Sequence, residues 1–341
     1  MITKLSLKNF KAFEEENFEL GLLNVLSGLN SSGKSSVIQS IRLLNEKKPL
    51  LDLGPLSQYI RSDMKGFNLK CEQKLKEGNE TIIFSYDRDG TIKKDKKING
   101  IVSYISADRL GPKNSLPLSI DEAITTVGSK GENIVDFLSK YENEWIGLPV
   151  PQALTASEGL GIKDNLTEWL GFISPGIKIM YSHDNNTDIG RTEFNGHRPV
   201  HVGFGLSYAL PIIASVLIHA SQLIAKKTES VLLLLENPEA HLHPSGQTKM
   251  GEMLARAASC GMQIIVETHS DHLLNGIRIA VKEKKISSTK VNCFFFKSGG
   301  WDGINEEPVT VENIEIDEHG MVDYWPDGFF DETEKSLQRL I

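Results

Sequence analysis

The sequence has 341 residues, of which 40% are hydrophobic and 24% are charged. This composition excludes a disordered chain, a collagen-like chain and a disulfide scaffold, and the length predicts two domains or one large α/β domain with insertions. No stretch approaches the roughly 18 consecutive apolar residues of a membrane-spanning helix, and the start lacks the pattern of a secretory signal. The three cysteines lie far apart and form no C-x-x-C pattern. We therefore expect a cytoplasmic protein without membrane contact.

The formal net charge of −8 is unevenly distributed along the chain. Residues 301–341 contain 12 acidic and 2 basic residues, whereas the first 300 residues contain 33 acidic and 35 basic ones. The body is thus nearly neutral and the tail is strongly acidic. A basic chain would have indicated binding to a phosphate backbone, so this balance leaves nucleic acid open as a partner without supporting it.

The N-terminal part of the chain predicts strands around one helix. The first 26 residues predict two strands, the second of which is a short apolar run that ends at Ser27-Gly28. Residues 35–44 place apolar side chains on one helical stripe, so a strand, a glycine-rich turn and a helix follow one another without a gap. The next 60 or so residues are mostly β in pattern, with strands predicted at 67–75, 81–86 and 101–105.

The second half of the chain alternates between strands and helices. Residues 106–200 have the weakest pattern, with scattered Gly and Pro and helices predicted at 132–141 and 164–172. From residue 203 the alternation is clear, which predicts a parallel sheet with helices on its faces. The predicted helices are 206–225, 244–259 and 272–281, and the predicted strands are 231–235, 263–267 and 291–296.

Residues 28–35, G-L-N-S-S-G-K-S, match the phosphate-binding pattern G-x-x-x-x-G-K-[ST]. We call this segment the P-loop. Lys34 can reach the β- and γ-phosphates of a nucleotide, the Ser35 hydroxyl can ligate Mg²⁺, and the positive end of the following helix faces the same anion. The alternative is a fortuitous glycine loop, which the preceding strand and following helix make less favourable. The predicted nucleotide-binding residues are Gly28, Asn30, Ser31, Ser32, Gly33, Lys34, Ser35 and Ser36.

A second acidic element follows a run of four leucines. Residues 231–236, V-L-L-L-L-E, end in the carboxylate of Glu236. At the C-terminal end of a strand in a nucleotide-binding sheet, such a carboxylate faces the metal that the phosphate loop binds. We therefore predict Ser35 and Glu236 as the two metal-side residues. The alternative is a surface glutamate after a core strand.

Four stretches together carry a resemblance to a known family. They are K-L-S-L-K-N-F-K-A-F near the start, the P-loop, E-N-P-E-A-H-L-H-P at 236–244 and V-E-T-H-S-D-H-L-L at 266–274. With them the sequence resembles the ABC-type ATPase heads of RecF, the SMC proteins and the overcoming-lysogenisation-defect nucleases. The segment 317–332, D-E-H-G-M-V-D-Y-W-P-D-G-F-F-D-E, is similar to the closing segment of one subfamily that occurs among bacterial phage-defence genes.

The resemblance implies an α/β fold of the ABC-type P-loop NTPase class. Its central, mostly parallel sheet is flanked by helices, and an N-terminal antiparallel β subdomain is added. We expect one head over residues 1–341, in four parts. These are the P-loop and β subdomain (1–105), a variable helical and loop insertion (106–200), a lobe with the remaining motifs (201–300) and the acidic tail (301–341).

The resemblance also implies roles for single residues. Glu236 takes the metal-side acidic position, where Asp is usual, and Asn237 stands where the family has a Glu that polarises the attacking water. Because an amide cannot accept a proton as a carboxylate does, we expect slow hydrolysis, with Glu239 as a substitute that positions the water. His269 matches the switch histidine that hydrogen-bonds the γ-phosphate.

Other positions stay less defined. The segment 203–211, G-F-G-L-S-Y-A-L-P, is the candidate for the loop that contacts a partner's γ-phosphate. There Gly205 would allow close backbone approach and Ser207 would donate its hydroxyl, and an ordinary glycine-rich loop is the alternative. His241 and His243 have a packing or interface role or, less favourably, are metal ligands. Gln39 and Gln58 are both candidates for the metal-sensing glutamine.

The implied mechanism is a nucleotide switch. Two heads would dimerise head-to-tail around ATP and Mg²⁺, or form a higher oligomer, and signal to a separate effector, such as a nuclease in an anti-phage complex. The alternatives are a RecF-like DNA-binding repair ATPase and, because of Asn237, a non-hydrolysing nucleotide-gated scaffold. In the tail, Trp325 and Phe329-Phe330 form either a docking patch or a cap on the chain's own core.

Overall fold

A computed structural model places these elements in three sheets and seven helices among the residues that it describes. Those residues are 1–46, 50, 54–61, 64–119, 124–144, 148–159, 161–184, 186–297 and 309–340. In chain order the strands are β1 (Ile2–Phe10), β2 (Phe13–Glu19), β3 (Leu23–Gly28), β4 (Gly66–Leu75), β5 (Gly78–Asp87), β6 (Ile92–Lys94), β7 (Ile101–Ile105), β8 (Leu116–Pro117), β9 (Ile179–Asp184), β10 (Ile189–Phe194), β11 (Val231–Glu236), β12 (Gln263–Glu267), β13 (Val291–Lys297) and β14 (Thr310–Ile314). The helices are α1 (Lys34–Asn45), α2 (Ile134–Glu144), α3 (Ile162–Gly171), α4 (Phe204–Ile224), α5 (Pro244–Ser259), α6 (Asp271–Lys282) and α7 (Glu332–Leu340).

The central sheet has six strands in the order β14-β13-β3-β12-β11-β7. All neighbours in it are parallel except β13 and β14, which are antiparallel. A five-stranded antiparallel sheet, β2-β1-β4-β5-β6, forms the β subdomain, and β8-β10-β9 form a small third sheet. The predicted fold class is therefore confirmed: a mostly parallel sheet flanked by helices, with an N-terminal antiparallel sheet.

The four-leucine strand β11 shows why the sequence folds in this way. Leu233 and Leu235 belong to the hydrophobic cluster that contains α4, α5 and α6, whereas Leu232 and Leu234 belong to the cluster formed with α1 and the antiparallel sheet. A strand that is buried on both faces needs apolar side chains at every position rather than at alternate ones. The continuous apolar run therefore places β11 inside the sheet, with Glu236 at its C-terminal end.

The prediction of two strands in the first 26 residues was wrong, because the structure has three there. The segment Phe13–Glu19 forms β2 and pairs antiparallel with β1. Its sequence F-E-E-E-N-F-E buries Phe13 and Phe18 and leaves its charged side chains at a sheet edge. The turn between the strands is tight, with Lys11 in the left-handed region at a φ of 52°. An acidic edge strand of this kind carries too few apolar residues to be recognised by its pattern.

The helix α4 is long and apolar enough, by length and composition, to cross a membrane, alone among the described helices. However, 78% of its most apolar window is buried inside the molecule. Its side chains pack in the cluster that covers one face of the central sheet. Burial in the core accounts for this composition.

Candidate nucleotide-binding site

The P-loop connects β3 to α1 and has the backbone that a phosphate-binding turn requires. Gly28 and Gly33 have φ values of 144° and 97°, in the region that favours glycine. A Cβ atom on Gly28 would lie 2.3 Å from the carbonyl oxygen of Phe296 on β13, so a side chain does not fit there. Gly33 is the N-cap of α1, which places the positive end of this helix at the loop.

Lys34 is only 3% exposed and is held by its own loop. Its ammonium donates hydrogen bonds to the carbonyl oxygens of Gly28, at 3.0 Å, and Leu29, at 2.6 Å. Burial lowers the pKa of Lys34, and the negative charge of Glu267 opposes this shift. The side chain is thus a positive charge fixed at the point where the motif predicts contact with phosphates.

A pocket of about 480 Å³ opens beside this loop. Its size lies in the range of small-molecule sites, and it brings together segments that are far apart in sequence. It is lined by Lys11, Ala12, Asn30, Ser31, Ser32, Gly33, Lys34, Ser35, Ser36, Gln39, Asn237, Glu267 and His269. Most of the predicted nucleotide-binding residues are therefore at this pocket, together with Asn237 and His269 from other elements.

The carboxylate nearest to the P-loop serine belongs to Glu267, which the sequence argument had not singled out. The Ser35 hydroxyl lies 2.8 and 3.0 Å from the two carboxylate oxygens of Glu267. Glu267 ends β12, the strand directly beside β3. It is 6% exposed, and burial raises its pKa, an effect opposed by the Ser35 hydrogen bond and the charge of Lys34. The sequence did contain a signal for Glu267. It is a carboxylate at the end of a buried strand, directly before the turn Thr268-His269-Ser270.

Glu236 is the cross-strand partner of Glu267 but lies one strand farther from the P-loop. One of its carboxylate oxygens accepts a hydrogen bond of 3.2 Å from the backbone N–H of Ala107, which follows β7. Glu236 is not among the residues that line the pocket. Its predicted metal-side role thus stays a prediction, for which Glu267 is a second candidate.

The histidine turn is fixed by Glu239. The backbone N–H of His269 donates to one carboxylate oxygen of Glu239 at 2.9 Å. The other carboxylate oxygen is buried and has no hydrogen-bond partner among the described residues. Burial lowers the pKa of His269, the nearby Lys34 lowers it further, and Glu239 opposes the shift. The His269 ring therefore faces the pocket as a neutral imidazole near neutral pH.

Asn237 occupies a strained turn at the pocket. Its φ of 44° is in the left-handed region, and its backbone N–H donates to the carbonyl oxygen of Glu267 at 2.9 Å. Its own carbonyl oxygen accepts from Arg109 at 2.7 Å. Asparagine tolerates this conformation better than most residues do, which offers a structural reason for an amide at this position.

Arg109 is a buried residue at the border of the site that was not predicted from the sequence. Its guanidinium donates to the carbonyl oxygens of Ser106, Glu236 and Asn237 at 2.7 to 2.9 Å. It also lies 5.1 Å from the ring centroid of Tyr208 in α4. Burial lowers the pKa of Arg109 to about 10. This residue joins the end of β11 to the start of α4, and no recognised motif marks it.

Lys11 was also missed, and it distinguishes the two glutamine candidates. Its ammonium hydrogen-bonds the side-chain oxygen of Gln39, and both residues line the pocket. The ammonium is 4.6 Å from the ring centroid of Tyr59. Gln58 lies in the 3₁₀ turn Leu56–Tyr59 and is not part of the pocket lining. The only signal for Lys11 was its place in the N-F-K stretch of the first motif.

The start of α4 is turned toward its own chain. A Cβ atom on Gly205 would lie 2.8 Å from the carbonyl oxygen of His241, so the close approach here is to the segment after β11. The Ser207 hydroxyl is buried without a hydrogen-bond partner among the described residues. It lines a small cavity of about 30 Å³ with Lys130 and Thr192. The exposed part of this segment is instead Gly203 and Phe204, whose side chain is 54% exposed.

The two histidines after β11 have structural contacts. The His241 ring packs 4.4 Å from the ring of Tyr208 and 5.5 Å from that of Phe204. His243 is the N-cap of α5, and its ring nitrogen accepts from the Ser245 backbone N–H at 3.4 Å. Within the described part of the chain, no group of three or more His, Cys, Asp or Glu side chains could hold a metal. These contacts favour the packing role over the metal-ligand role.

The aromatic residues of the tail were predicted either to cap the core or to form a docking patch, and they do not all have the same position. Phe329 is fully buried, with its ring 5.4 Å from that of Phe295 on β13. Trp325 is 45% exposed and lies 5.5 Å from the guanidinium of Arg278. Phe329 thus caps the core, whereas Trp325 and its neighbour Tyr324, 54% exposed, remain at the surface.

The pocket offers the donor set that suits Mg²⁺. The Ser35 hydroxyl, the Glu267 carboxylate and the side-chain amides of Gln39 and Asn237 are hard oxygen ligands that line one space. Mg²⁺ is usually bound through one or two carboxylates plus substrate phosphates and waters, rather than by a full protein cage. The residues present therefore fit a magnesium nucleotide.

The profile of the AAA ATPase domain family matches residues 1–147 and 56–274. The chain belongs to this family. Binding of ATP, typically with Mg²⁺, is thus the family's expectation for the P-loop pocket. The profile of DUF3696, described as a protein of unknown function, matches residues 286–340. No functionally curated protein matches the chain.

Solved structures support the same fold over nearly the whole chain. The Smc head bound to the C-winged helix domain of ScpA is 14% identical, with a TM-score of 0.60 over 92% of this chain and 98% of that chain. The Smc head of Pyrococcus furiosus with an extended coiled coil, bound to the C-terminal domain of ScpA, is 14% identical, with a TM-score of 0.55 over 99% of both chains. RecF in the structure titled RecF-ATPrS is 15% identical, with a TM-score of 0.50 over 90% of this chain and 98% of that chain. At these identities the likeness concerns the ABC-type head fold.

Proposed function

We propose that this ATPase binds ATP with Mg²⁺ at the P-loop pocket, hydrolyses it slowly, and acts as a nucleotide switch for a separate effector. The observation that carries the proposal is the pocket itself. It joins the fixed ammonium of Lys34 to groups at the ends of two neighbouring strands. In the proposal, the phosphates are held by Gly28, Asn30, Ser31, Ser32, Gly33, Lys34, Ser35 and Ser36.

His269 would report which nucleotide is bound. A neutral imidazole at the pocket can make one hydrogen bond to a γ-phosphate that ADP lacks. Its turn is anchored to Glu239, which follows the end of β11 closely. A movement of the histidine on phosphate loss would therefore pull on the segment after β11, which packs on the start of α4. The proposal thus includes a physical route from nucleotide to surface.

Slow turnover follows from the side chains that would meet the attacking water. Asn237 lines the pocket but cannot accept a proton. Glu239 is the proposed substitute, although one of its oxygens is engaged with the His269 backbone. A carboxylate that is held in this way positions water less freely than one that faces the pocket. We therefore expect single-turnover hydrolysis well below that of a head with Glu at position 237.

The proposed active form is a head-to-tail dimer in which the start of α4 of a second copy, at Gly205 and Ser207, closes over the nucleotide. A helix N-terminus binds anions, which supports this segment as the contact. The Ser207 hydroxyl is buried and would have to become exposed to reach a phosphate. Gly203 and Phe204 are already exposed, so we place the first contact there.

The proposed effector is a nuclease within an anti-phage complex. The support is the similarity of residues 317–332 to a subfamily found among phage-defence genes, and the surface position of Tyr324 and Trp325. Exposed apolar side chains among acidic residues suit a protein interface.

The test uses purified wild-type protein, Lys34→Ala and the control Lys76→Ala, since the Lys76 side chain is 73% exposed and forms an ion pair with Glu229. We expect wild type and the control to bind ATP and to double in mass with a non-hydrolysable analogue, measured by calorimetry and light scattering. Lys34→Ala should lose at least about a hundredfold in affinity, since it removes a buried charge facing the phosphates. Equal affinity of Lys34→Ala and wild type would contradict the nucleotide site, and a constant mass would contradict the dimer.

A non-hydrolysing scaffold is the second candidate, and Asn237 favours it. Single-turnover hydrolysis of radiolabelled ATP separates the two, because the scaffold retains bound ATP. In the same assay Glu239→Gln should slow hydrolysis further if Glu239 positions water, and an unchanged rate would remove that role. Stimulation of turnover by DNA would instead favour a RecF-like repair ATPase.

A further inference from the structure

We propose that Glu267, together with Ser35, is the carboxylate that binds the Mg²⁺ of ATP directly, and that Glu236 acts on this metal only from a distance. The inference rests on the proposed ATP site and assigns its metal ligand. It differs from the assignment that the sequence motif favours, in which Glu236 is the metal-side carboxylate.

Contact distances favour Glu267 over Glu236 as the metal ligand. The Ser35 hydroxyl, the P-loop group that ligates Mg²⁺ in this motif, reaches both oxygens of Glu267 at 2.8 and 3.0 Å. A hydroxyl and a carboxylate at hydrogen-bond distance are close enough for one cation to be bound by both oxygens in place of the hydrogen bond between them. Glu267 also lines the pocket beside Lys34, whereas Glu236 does not line it.

The order of the strands also favours Glu267. In the central sheet β12 lies between β3 and β11, so Glu267 is one strand away from the P-loop strand and Glu236 is two strands away. Neighbouring strands are about 4.8 Å apart, which adds roughly that distance for Glu236. The Glu236 carboxylate also accepts the backbone N–H of Ala107 on its far side, at 3.2 Å.

Charge also favours Glu267 as the metal ligand. Glu267 is 6% exposed and is the cross-strand partner of Glu236, so two carboxylates lie at the same end of the sheet. A phosphate chain that entered without a metal would add more negative charge at the same place. A divalent cation between Glu267 and the phosphates would reverse this repulsion. Glu267 should therefore weaken the binding of metal-free ATP and strengthen the binding of Mg-ATP.

The experiment measures these two opposite effects of Glu267 on nucleotide binding, without and with Mg²⁺. The affinity for a fluorescent ATP analogue is measured with excess EDTA and with Mg²⁺, for wild type, Glu267→Gln and the matched variant Glu236→Gln. We expect Mg²⁺ to tighten binding at least about tenfold in wild type and in Glu236→Gln, and to have less than about a twofold effect in Glu267→Gln. In EDTA, Glu267→Gln should bind the analogue more tightly than wild type does.

A spectroscopic measurement checks the same ligand without turnover. With Mn²⁺ in place of Mg²⁺ and a non-hydrolysable nucleotide, the electron paramagnetic resonance spectrum of the bound ion should change in Glu267→Gln and stay as in wild type in Glu236→Gln. Thermal unfolding without nucleotide shows whether each variant is folded. Since glutamine removes a buried charge, the melting temperature of Glu267→Gln should equal or exceed that of wild type.

The outcomes separate this inference from the proposed function. If wild type binds no ATP in either condition, the nucleotide site itself is wrong. If wild type binds ATP and Glu267→Gln keeps the full Mg²⁺ effect while Glu236→Gln loses it, the ATP site stands and the assignment of Glu267 is overturned.

Discussion

The nucleotide pocket and the start of α4 differ in how they use their polar groups. The pocket is lined by side chains that face a shared space, including one buried lysine and one buried glutamate. At the start of α4, the Ser207 hydroxyl is buried and lines a small cavity. The exposed side chain of this segment is apolar, since Phe204 is 54% exposed.

The two surfaces therefore suit different occupants. A polar pocket at the end of a parallel sheet is formed before its ligand arrives, because the strands and the glycine turn fix its groups. An exposed apolar segment at a helix start gains more from another protein surface than from a phosphate alone. The pocket can thus bind a nucleotide within one chain, whereas the start of α4 is proposed to act against a second copy.

The largest expected effect on stability comes from Arg109, which links the two surfaces. Arg109→Lys keeps the positive charge, but one ammonium cannot span the carbonyl oxygens of Ser106, Glu236 and Asn237 that the guanidinium reaches. Buried acceptors left without a donor cost about 2 to 4 kcal/mol in the free energy of unfolding. Urea unfolding monitored by circular dichroism measures this loss.

Arg191→Lys is the matched control for Arg109, since Arg191 is exposed on β10. It should change the free energy of unfolding by no more than about 0.5 kcal/mol. Equal values for the two variants would show that Arg109 does not hold the end of β11 against α4. Arg109 would then not be the residue that connects the nucleotide pocket to the start of α4.

The next effect concerns pH and the interior of α4. His219 is fully buried, and burial lowers its pKa to about 4, with a ring nitrogen 2.9 Å from the side-chain oxygen of Gln222. Its unfolded pKa is about 6.5, so between pH 6.5 and 4 the unfolded chain binds a proton that the folded one does not. Stability is therefore full above pH 6.5 and falls as the pH drops, by about 2 kcal/mol at pH 5.

His219→Gln isolates this contribution, because it removes the titrating ring. Urea unfolding at pH 7, 6 and 5 should give a flatter pH dependence for the variant than for wild type. Parallel curves would mean that α4 opens to water at this point. That result would contradict the view that the packing of α4 fixes the surface at its start.

The sequence predicted the parts of the fold that depend on local pattern. The segment 244–259 was predicted as a helix and is α5, and 263–267 was predicted as a strand and is β12. In both cases apolar spacing and length identify the element without knowledge of its neighbours. The hairpin of β9 and β10 was missed, because its strands are short and only partly buried.

The candidate site was only partly predictable for a related reason. The P-loop is one continuous segment, so its residues can be found from spacing alone. Glu267, Lys11 and Arg109 reach the site or its border from other elements, and their positions depend on which strands are neighbours. Nothing in the sequence states that β12 lies between β3 and β11, and this order places Glu267 rather than Glu236 beside Ser35.

Of these variants, Phe204→Ser should change stability least. It also tests directly whether the start of α4 contacts a second copy. Because its side chain is 54% exposed, Phe204→Ser should change the free energy of unfolding by less than about 0.5 kcal/mol. If the start of α4 contacts a second copy, the ATP-dependent dimer should nevertheless weaken at least about tenfold, as expected for an aromatic residue at an interface. Analytical ultracentrifugation with a non-hydrolysable nucleotide measures this, with Met180→Ser as control, since Met180 on β9 is 49% exposed. If Phe204→Ser and Met180→Ser dimerise with equal affinity, the interface lies elsewhere. An exposed aromatic ring that becomes buried on dimerisation cannot be removed without weakening the dimer.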